Sequence, residues 1–275
     1  MQRRLIQLSP STAVVSLPAS WVRTNRLKKG HALFVEINEN RVLVSAASSK
    51  AGRETAVDVS GLPDRLFWAA IDAAYIAGYD TITIRTSGAT QTALLSKAVR
   101  YFPGMIIEDE RERLVRFQDI ANEQAVELSK TIRRIFQLIR IVHEDGCAAH
   151  GAVERAAVKK IDYTVNSYVS LAQRGINKYG YEPFSKSGIL HTLLKTLELF
   201  SDKLAAIHVA GGRHDHLAEI MAVFSDLERL HFSYAQDALV ALEQKRKRVK
   251  TKTSVEKELL SLLYDLEELE MQLHS

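Results

Sequence analysis

Short apolar runs separated by polar turns dominate the first 45 positions of the chain. Their length and their branched residues are typical of short β-strands, with one helical turn in the middle. Four strands of this length cannot enclose a hydrophobic core alone. We therefore predict that this segment pairs with a second copy of itself. The strand-like runs cover residues 3–8, 13–17, 33–37 and 41–44.

The pattern changes over residues 55–118, where strand-like runs alternate with helical ones. Pro63 stands at the first position of one helical run, and Pro103–Gly104 stops the next. Two further strand-like runs flank a charged turn at residues 109–113. This order predicts a small βαβαββ domain.

From residue 119 onward, apolar residues recur at helical spacing only. Short connections join five such runs, which predicts an antiparallel helical bundle. The fourth run predicts one continuous helix over residues 214–244, and Thr253 with Glu256 predicts a capping box at the start of the fifth. The predicted fold class is therefore α+β and multidomain. The three predicted domains cover residues 1–46, 55–118 and 119–275.

Charge is distributed unevenly along the chain. The formal net charge is only +4, but residues 1–50 hold eight Lys or Arg against two acids. A small, basic and paired β module is typical of dimers that bind double-stranded DNA. The alternative is that these cations only make the surface soluble. The candidate DNA-binding residues are Arg3, Arg4, Arg23, Arg26, Lys28 and Lys29.

A family resemblance agrees with this interpretation. Leu17-Pro18-x-x-Trp21 followed by Leu27-Lys28-Lys29-Gly30, set between strand pairs, resembles the AbrB/SpoVT swapped-hairpin domain. That family interleaves two hairpins from each subunit into one dimeric β barrel and binds DNA through basic residues. The resemblance implies such a barrel over residues 1–46. His31 departs from the family, which usually has an acid after the turn glycine.

Acidic residues mark the helical segment. Glu198 and Asp202 are four residues apart and therefore lie on one helical face, and Asp162 lies in the preceding helical run. This arrangement over residues 119–210 resembles the PhoU domain, although Leu199 stands where the family has arginine. PhoU domains are helical regulators of phosphate uptake, and several carry metal clusters on such faces.

The resemblance implies metal ions at Asp162, Glu198 and Asp202. Carboxylates suit hard divalent cations, and a histidine can join them for iron or zinc. His191 lies seven residues before Glu198 on the same side of the helix and is the candidate nitrogen ligand. The alternative is that these acids face solvent or pair with the neighbouring lysines.

An AbrB-like domain in front of a PhoU-like bundle resembles archaeal-type phosphate uptake regulators. We therefore expect a homodimeric, DNA-binding transcription regulator of phosphate homeostasis. The alternative function is an adaptor that dimerises through the N-terminal module and docks on a phosphate transporter ATPase or a kinase. An enzyme is not expected, because the sequence has no evident nucleophile–base pair, Gly-rich phosphate loop or ligand-spaced His/Cys cluster.

The remaining features concern location and a second basic run. The N-terminus has no apolar signal-peptide region, no apolar run is long enough to insert into a membrane, and Cys147 is the single cysteine. We expect a cytoplasmic protein. The basic run from Lys245 to Lys252 is either an additional DNA backbone contact or a solvated connector.

Overall fold

The chain divides into two compact units, Met1–Gly52 and Arg53–Ser275. The chain contains α-helices, two two-stranded antiparallel sheets and one four-stranded mixed sheet, so the predicted α+β class is confirmed. The computed structural model describes residues 2–38, 41–46, 52–121, 127–181, 183–211 and 216–275.

The N-terminal unit consists of two antiparallel hairpins and one short helix between them. Each hairpin is a separate two-stranded sheet, β1 with β2 and β3 with β4. Gly30, at φ 89°, allows the turn that leads into the second hairpin. The elements are β1 (Ile6–Ser9), β2 (Thr12–Val14), α1 (Ala19–Thr24), β3 (Phe34–Asn38) and β4 (Arg41–Ser45).

The second unit begins with a four-stranded mixed sheet in the order β5-β6-β8-β7. The first two strands are parallel and joined by a helix, and the other pairs are antiparallel. The predicted βαβαββ order is confirmed. Its elements are β5 (Glu54–Asp58), α2 (Asp64–Ile76), β6 (Thr81–Arg85), α3 (Ala89–Ala98), β7 (Met105–Arg111) and β8 (Leu114–Asp119).

Six α-helices in the described part of the second unit follow the sheet and share one apolar core. Phe200 stacks on Phe224 at 4.9 Å between ring centroids, and Phe136 lies 5.4 Å from Phe224. No helix in the described ranges combines the length and apolar content needed to cross a bilayer. The helices are α4 (Leu128–Ala148), α5 (Ala152–Tyr179), α6 (Ser187–Ala210), α7 (Leu217–Phe232), α8 (Gln236–Arg248) and α9 (Ser254–His274).

The predicted continuous helix over residues 214–244 is wrong, because α7 and α8 are separate helices; its first two positions lie outside the described residues. Between them Ser233 leaves the helical conformation, and Ala235 is extended. Tyr234, at the break, stacks on His274 with ring centroids 4.5 Å apart. The break thus coincides with a tertiary contact, and no proline or glycine marks it in the sequence.

The predicted capping box at the start of α9 is confirmed. The backbone N–H of Glu256 donates to the Thr253 hydroxyl at 3.2 Å, and the Thr253 N–H donates to the Glu256 carboxylate at 3.0 Å. The reciprocal bonds satisfy two of the amide groups that a helix start leaves without partners.

A buried ion pair joins the sheet to the bundle. Arg174 on α5 contacts Asp119 at the end of β8 at 2.6 Å, and their side chains are only 4% and 3% exposed. The same guanidinium donates to the carbonyls of Tyr75 and Tyr79 at 2.7 and 2.9 Å. Burial alone would raise the pKa of Asp119, but hydrogen bonds from Lys178 and Arg174 outweigh it and hold the pKa below its usual range. The pair therefore ties α5 to the end of the sheet within one compact unit.

Candidate functional site

Four acidic side chains from three helices gather beside α5; we call them the acidic cluster. Asp72 comes from α2, Asp162 from α5, and Glu198 and Asp202 from α6. The Ser201 hydroxyl donates to Asp162 at 2.6 Å. The structure thus places the three acids that the sequence singled out near one another and adds a fourth from the α/β layer, but the ligand atoms of the three predicted acids are not all within 4.8 Å of one another. The i, i+4 spacing on α6 explains why Glu198 and Asp202 lie on the same face.

The acidic cluster is electrostatically strained. Asp162 is 6% exposed, and burial, together with the negative charges of Asp202 and Glu198, raises its pKa to about 6. Burial also raises the pKa of Glu198, although the ion pair with Lys195 lowers it in part. Burial likewise raises the pKa of Asp72, although a hydrogen bond with Ser170 lowers it in part. A bound cation would relieve this mutual repulsion, because it stabilises the ionised carboxylates.

The fit to a metal differs among the predicted ligands. Asp162 and Asp202 share a hydrogen-bonded contact and offer the oxygen donors that hard divalent cations prefer. Glu198 instead forms an ion pair with Lys195 at 2.5 Å, which is the alternative raised for this face. Lys203 forms its ion pair with Glu258 on α9, outside the acidic cluster. The Asp162–Asp202 pair is therefore the part that best suits a metal ion.

His191 does not join the acidic cluster. Its ring nitrogen lies 3.1 Å from the amide oxygen of Asn177, and the Asn177 amide donates to the carbonyl of Ile76 at 2.9 Å. Seven residues along a helix correspond to about 10 Å of rise. The structure therefore places this histidine at the contact between α2 and α5.

A cavity of about 580 Å³ opens beside the acidic cluster. Asp72 and Glu198 line it together with Asn166, so solvent and small ions reach these carboxylates. Lys97 and Arg100 also line it. The cavity therefore presents both charge signs to an entering ligand.

Replacing Asp162 with asparagine is expected to stabilise the metal-free protein at pH 7.5 by about 1–3 kcal/mol. The amide still accepts the Ser201 hydrogen bond but removes a buried charge. Because the folded-state pKa is raised, the cost of that charge is full above about pH 6 and vanishes below the ordinary aspartate pKa. Thermal unfolding in EDTA between pH 4 and 8 measures this, and Asp64→Asn, on an exposed position, is the control.

Added Mg²⁺ or Mn²⁺ should then raise the melting temperature of the wild type and leave Asp162→Asn unchanged. Equal responses in the two proteins, or none in either, would contradict a metal at Asp162 and Asp202.

All six candidate DNA-binding cations are exposed in the N-terminal unit. Two precede β1, and the other four lie at the end of α1 and in the turn before β3. The backbone of Arg26 lies in the left-handed region at φ 53°, which is rare for a residue other than glycine. Among the residues that the structure describes, no ion pair involves any of the six.

The second hairpin also exposes an apolar face. Cross-strand pairing sets Val35 opposite Val44 and Ile37 opposite Val42, so these four side chains lie on one face. Val35, Ile37 and Val42 are 59%, 76% and 63% exposed within one chain. In the first hairpin, Ile6 pairs with Val14 across the strands, and Leu8 lies at a register shift beside them; all three side chains are exposed.

At least three of the six cations in the second basic run form ion pairs inside their own unit. Lys245 pairs with Asp226 on α7, Arg246 with Glu267 on α9 at 2.7 Å, and Lys247 with Glu243 on the same helix at 2.6 Å. The pairs of Lys245 and Arg246 therefore fasten α8 to its neighbours.

One group of ligand-type side chains was missed from the sequence. The ligand atoms of His143, Cys147 and His208 all lie within 4.8 Å of one another, and no other group of three in the described residues does so. The signal was a His-x-x-x-Cys pair on α4, which is weak until a third ligand from another helix joins it.

Comparison with protein-family models, curated proteins and solved structures finds no match to this chain. The resemblances to the AbrB/SpoVT and PhoU families therefore stay predictions based on the residues quoted for them.

Proposed function

We propose that this protein is a homodimeric, DNA-binding transcription regulator of phosphate uptake, with the helical bundle as its sensing or partner-docking part. One observation carries the proposal. The N-terminal unit combines apolar hairpin faces that are exposed in a single chain with six exposed cations that have no ion-pair partner among the described residues.

A second copy of the same unit is the simplest cover for the hairpin faces. Both hairpins expose apolar side chains, so hairpins from two copies would alternate in one swapped barrel. Each square ångström of apolar surface removed from water contributes about 25 cal/mol. In a single chain, none of the described residues of this unit is buried. Pairing would thus supply the hydrophobic core.

Pairing would also double the number of candidate cations in the N-terminal module. A dimer would carry twelve candidate cations, six from each copy. Contacts of Lys and Arg with DNA phosphates give affinity that falls steeply with salt, because binding releases condensed counterions. Arginines that reach base edges would add sequence preference.

The regulatory part rests on the second unit. The acidic cluster and the adjoining two-signed cavity offer a place for a metal ion, a phosphate-containing ligand, or both. The link to phosphate itself rests on the PhoU resemblance of residues 119–210 together with the AbrB-like module before them.

The test is binding to a labelled duplex of the protein's own upstream DNA between about 50 and 200 mM salt. We expect steep salt dependence for the wild type. Combined replacement of Arg3, Arg4, Lys28 and Lys29 by alanine should weaken binding at least about 100-fold and flatten the salt slope, because phosphate contacts are lost.

The matched control removes four exposed cations from the second unit by changing Arg65, Lys130, Lys160 and Lys257 to alanine. It alters the net charge equally and should leave DNA affinity within about twofold of wild type. Equal losses in both variants would mean that total charge, not this module, governs binding. No binding by a well-folded wild-type dimer would overturn the proposal and favour the adaptor that docks on a transporter ATPase or a kinase.

A further inference from the structure

We propose that His143, Cys147 and His208 form a zinc-binding site where the C-terminal ends of α4 and α6 meet. The site is separate from the acidic cluster and goes beyond the proposed function. It would hold Zn²⁺ through two imidazole nitrogens and one thiolate, with a fourth position open to solvent beside the exposed Cys147.

The ligands come from two helices that run in the same direction. His143 and Cys147 are four residues apart near the end of α4, so they share one helical face. His208 lies in the last turn of α6. The two imidazole rings have centroids 5.4 Å apart, with an interplanar angle of 54°.

The spacing is close to that of a zinc site. The Cys147 sulfur lies 3.8 and 3.7 Å from the two ring nitrogens of His143. Zinc bonds of about 2.0–2.1 Å to nitrogen and 2.3 Å to sulfur place tetrahedral ligands roughly 3.5 Å apart. The ligand atoms of all three residues lie within 4.8 Å of one another, so they have to approach by only about 1 Å to surround an ion.

A glycine on α4 fixes the third ligand. A Cβ placed on Gly146 would lie 2.2 Å from Cγ of His208, so the imidazole rests directly against the helix backbone at this position. His208 is 7% exposed and cannot swing into solvent without leaving this contact. The close approach therefore holds the His208 ring beside the residues on α4.

The donor set selects the metal. Mixed nitrogen and sulfur ligands favour zinc over the hard cations that suit carboxylates. Coordination needs a neutral imidazole and a thiolate, so forming the zinc–sulfur bond would release the proton of the Cys147 thiol to solvent.

The test uses the full-length protein, reduced and freed of metal, and titrates it with Co²⁺ as a spectroscopic probe for zinc. We expect one thiolate-bound Co²⁺ per chain, identified by its thiolate-to-metal charge-transfer absorption and displaced by Zn²⁺ that binds with a Kd of about 1 μM or tighter. Cys147→Ser changes an exposed residue and should remove the charge-transfer band while keeping the helical circular dichroism.

Three further variants make the test specific. His143→Ala and Gly146→Ala should each weaken Zn²⁺ binding at least about tenfold, the second by pushing His208 away while all three ligands remain. His150→Ala, at an exposed histidine nearby, should bind like the wild type. Absence of the sulfur band in the wild type, or equal zinc affinity in wild type and Cys147→Ser, would overturn the proposal.

Discussion

Asp119→Ala is expected to destabilise the second unit by about 3–5 kcal/mol. The change leaves the guanidinium of Arg174 buried with only carbonyl oxygens opposite it, and it deprives Lys178 of one of its two acidic partners. Urea unfolding followed by circular dichroism at pH 7.5 gives the difference directly. Asp109→Ala is the control, because its exposed pair with Arg111 should contribute less than about 1 kcal/mol.

The effect of Asp119→Ala should also depend on pH in a defined direction. Since the folded-state pKa of Asp119 is lowered, the pair stabilises the protein above the ordinary aspartate pKa. That contribution is lost as the pH falls through the folded-state value, so the variant and the wild type should converge in strong acid. Losses of equal size at Asp119 and Asp109 would show that the buried pair is not what joins sheet and bundle.

Ile37→Asp is expected to weaken the proposed dimer at least about 100-fold and to abolish DNA binding with it. Ile37 is the most exposed residue of the apolar face on the second hairpin, at 76%. A dimer would bury two unpaired carboxylates, one from each copy, and burial of unpaired charge is costly. Sedimentation over a concentration series measures the assembly, and the DNA titration measures the consequence.

The matched control for this change is Val153→Asp. Val153 is 81% exposed in the first turn of α5, where an acid also interacts favourably with the helix dipole. It should assemble and bind DNA like the wild type. A dimer that survives Ile37→Asp with its DNA affinity intact would show that the hairpin faces are not the interface.

The parts of the fold that the sequence predicted correctly depend on local signals. Pro63 and Pro103–Gly104 mark helix ends within a few residues, and alternating β-branched positions identify β6. The helix break at Ser233–Ala235 accompanies the contact between Tyr234 and His274. The sequence around Tyr234 does not indicate this contact, because His274 lies at the end of α9, 40 residues further along the chain.

The same distinction applies to the sites. Glu198 and Asp202 lie together because four residues make one helical turn, and this relation is visible in the sequence. By contrast, the fourth acid, Asp72, comes from α2, and Arg174 on α5 pairs with Asp119 at the end of β8. These contacts join elements that are far apart in the sequence. His191 has the right angular position but lies two turns away, where Asn177 is its partner. Periodicity gives the face of a helix, and only packing decides which faces meet.

The internal pairing of the basic run on α8 has a consequence for association rates. The local electrostatic field at a protein surface attracts a charged polymer such as a nucleic acid. The net charge and the isoelectric point of about 9.0 do not describe that local field. Because Lys245, Arg246 and Lys247 are screened by their own acids, they contribute little long-range attraction. In the proposed complex with DNA, these three residues would therefore add little to the association rate, and added salt would slow association mainly through the N-terminal cations.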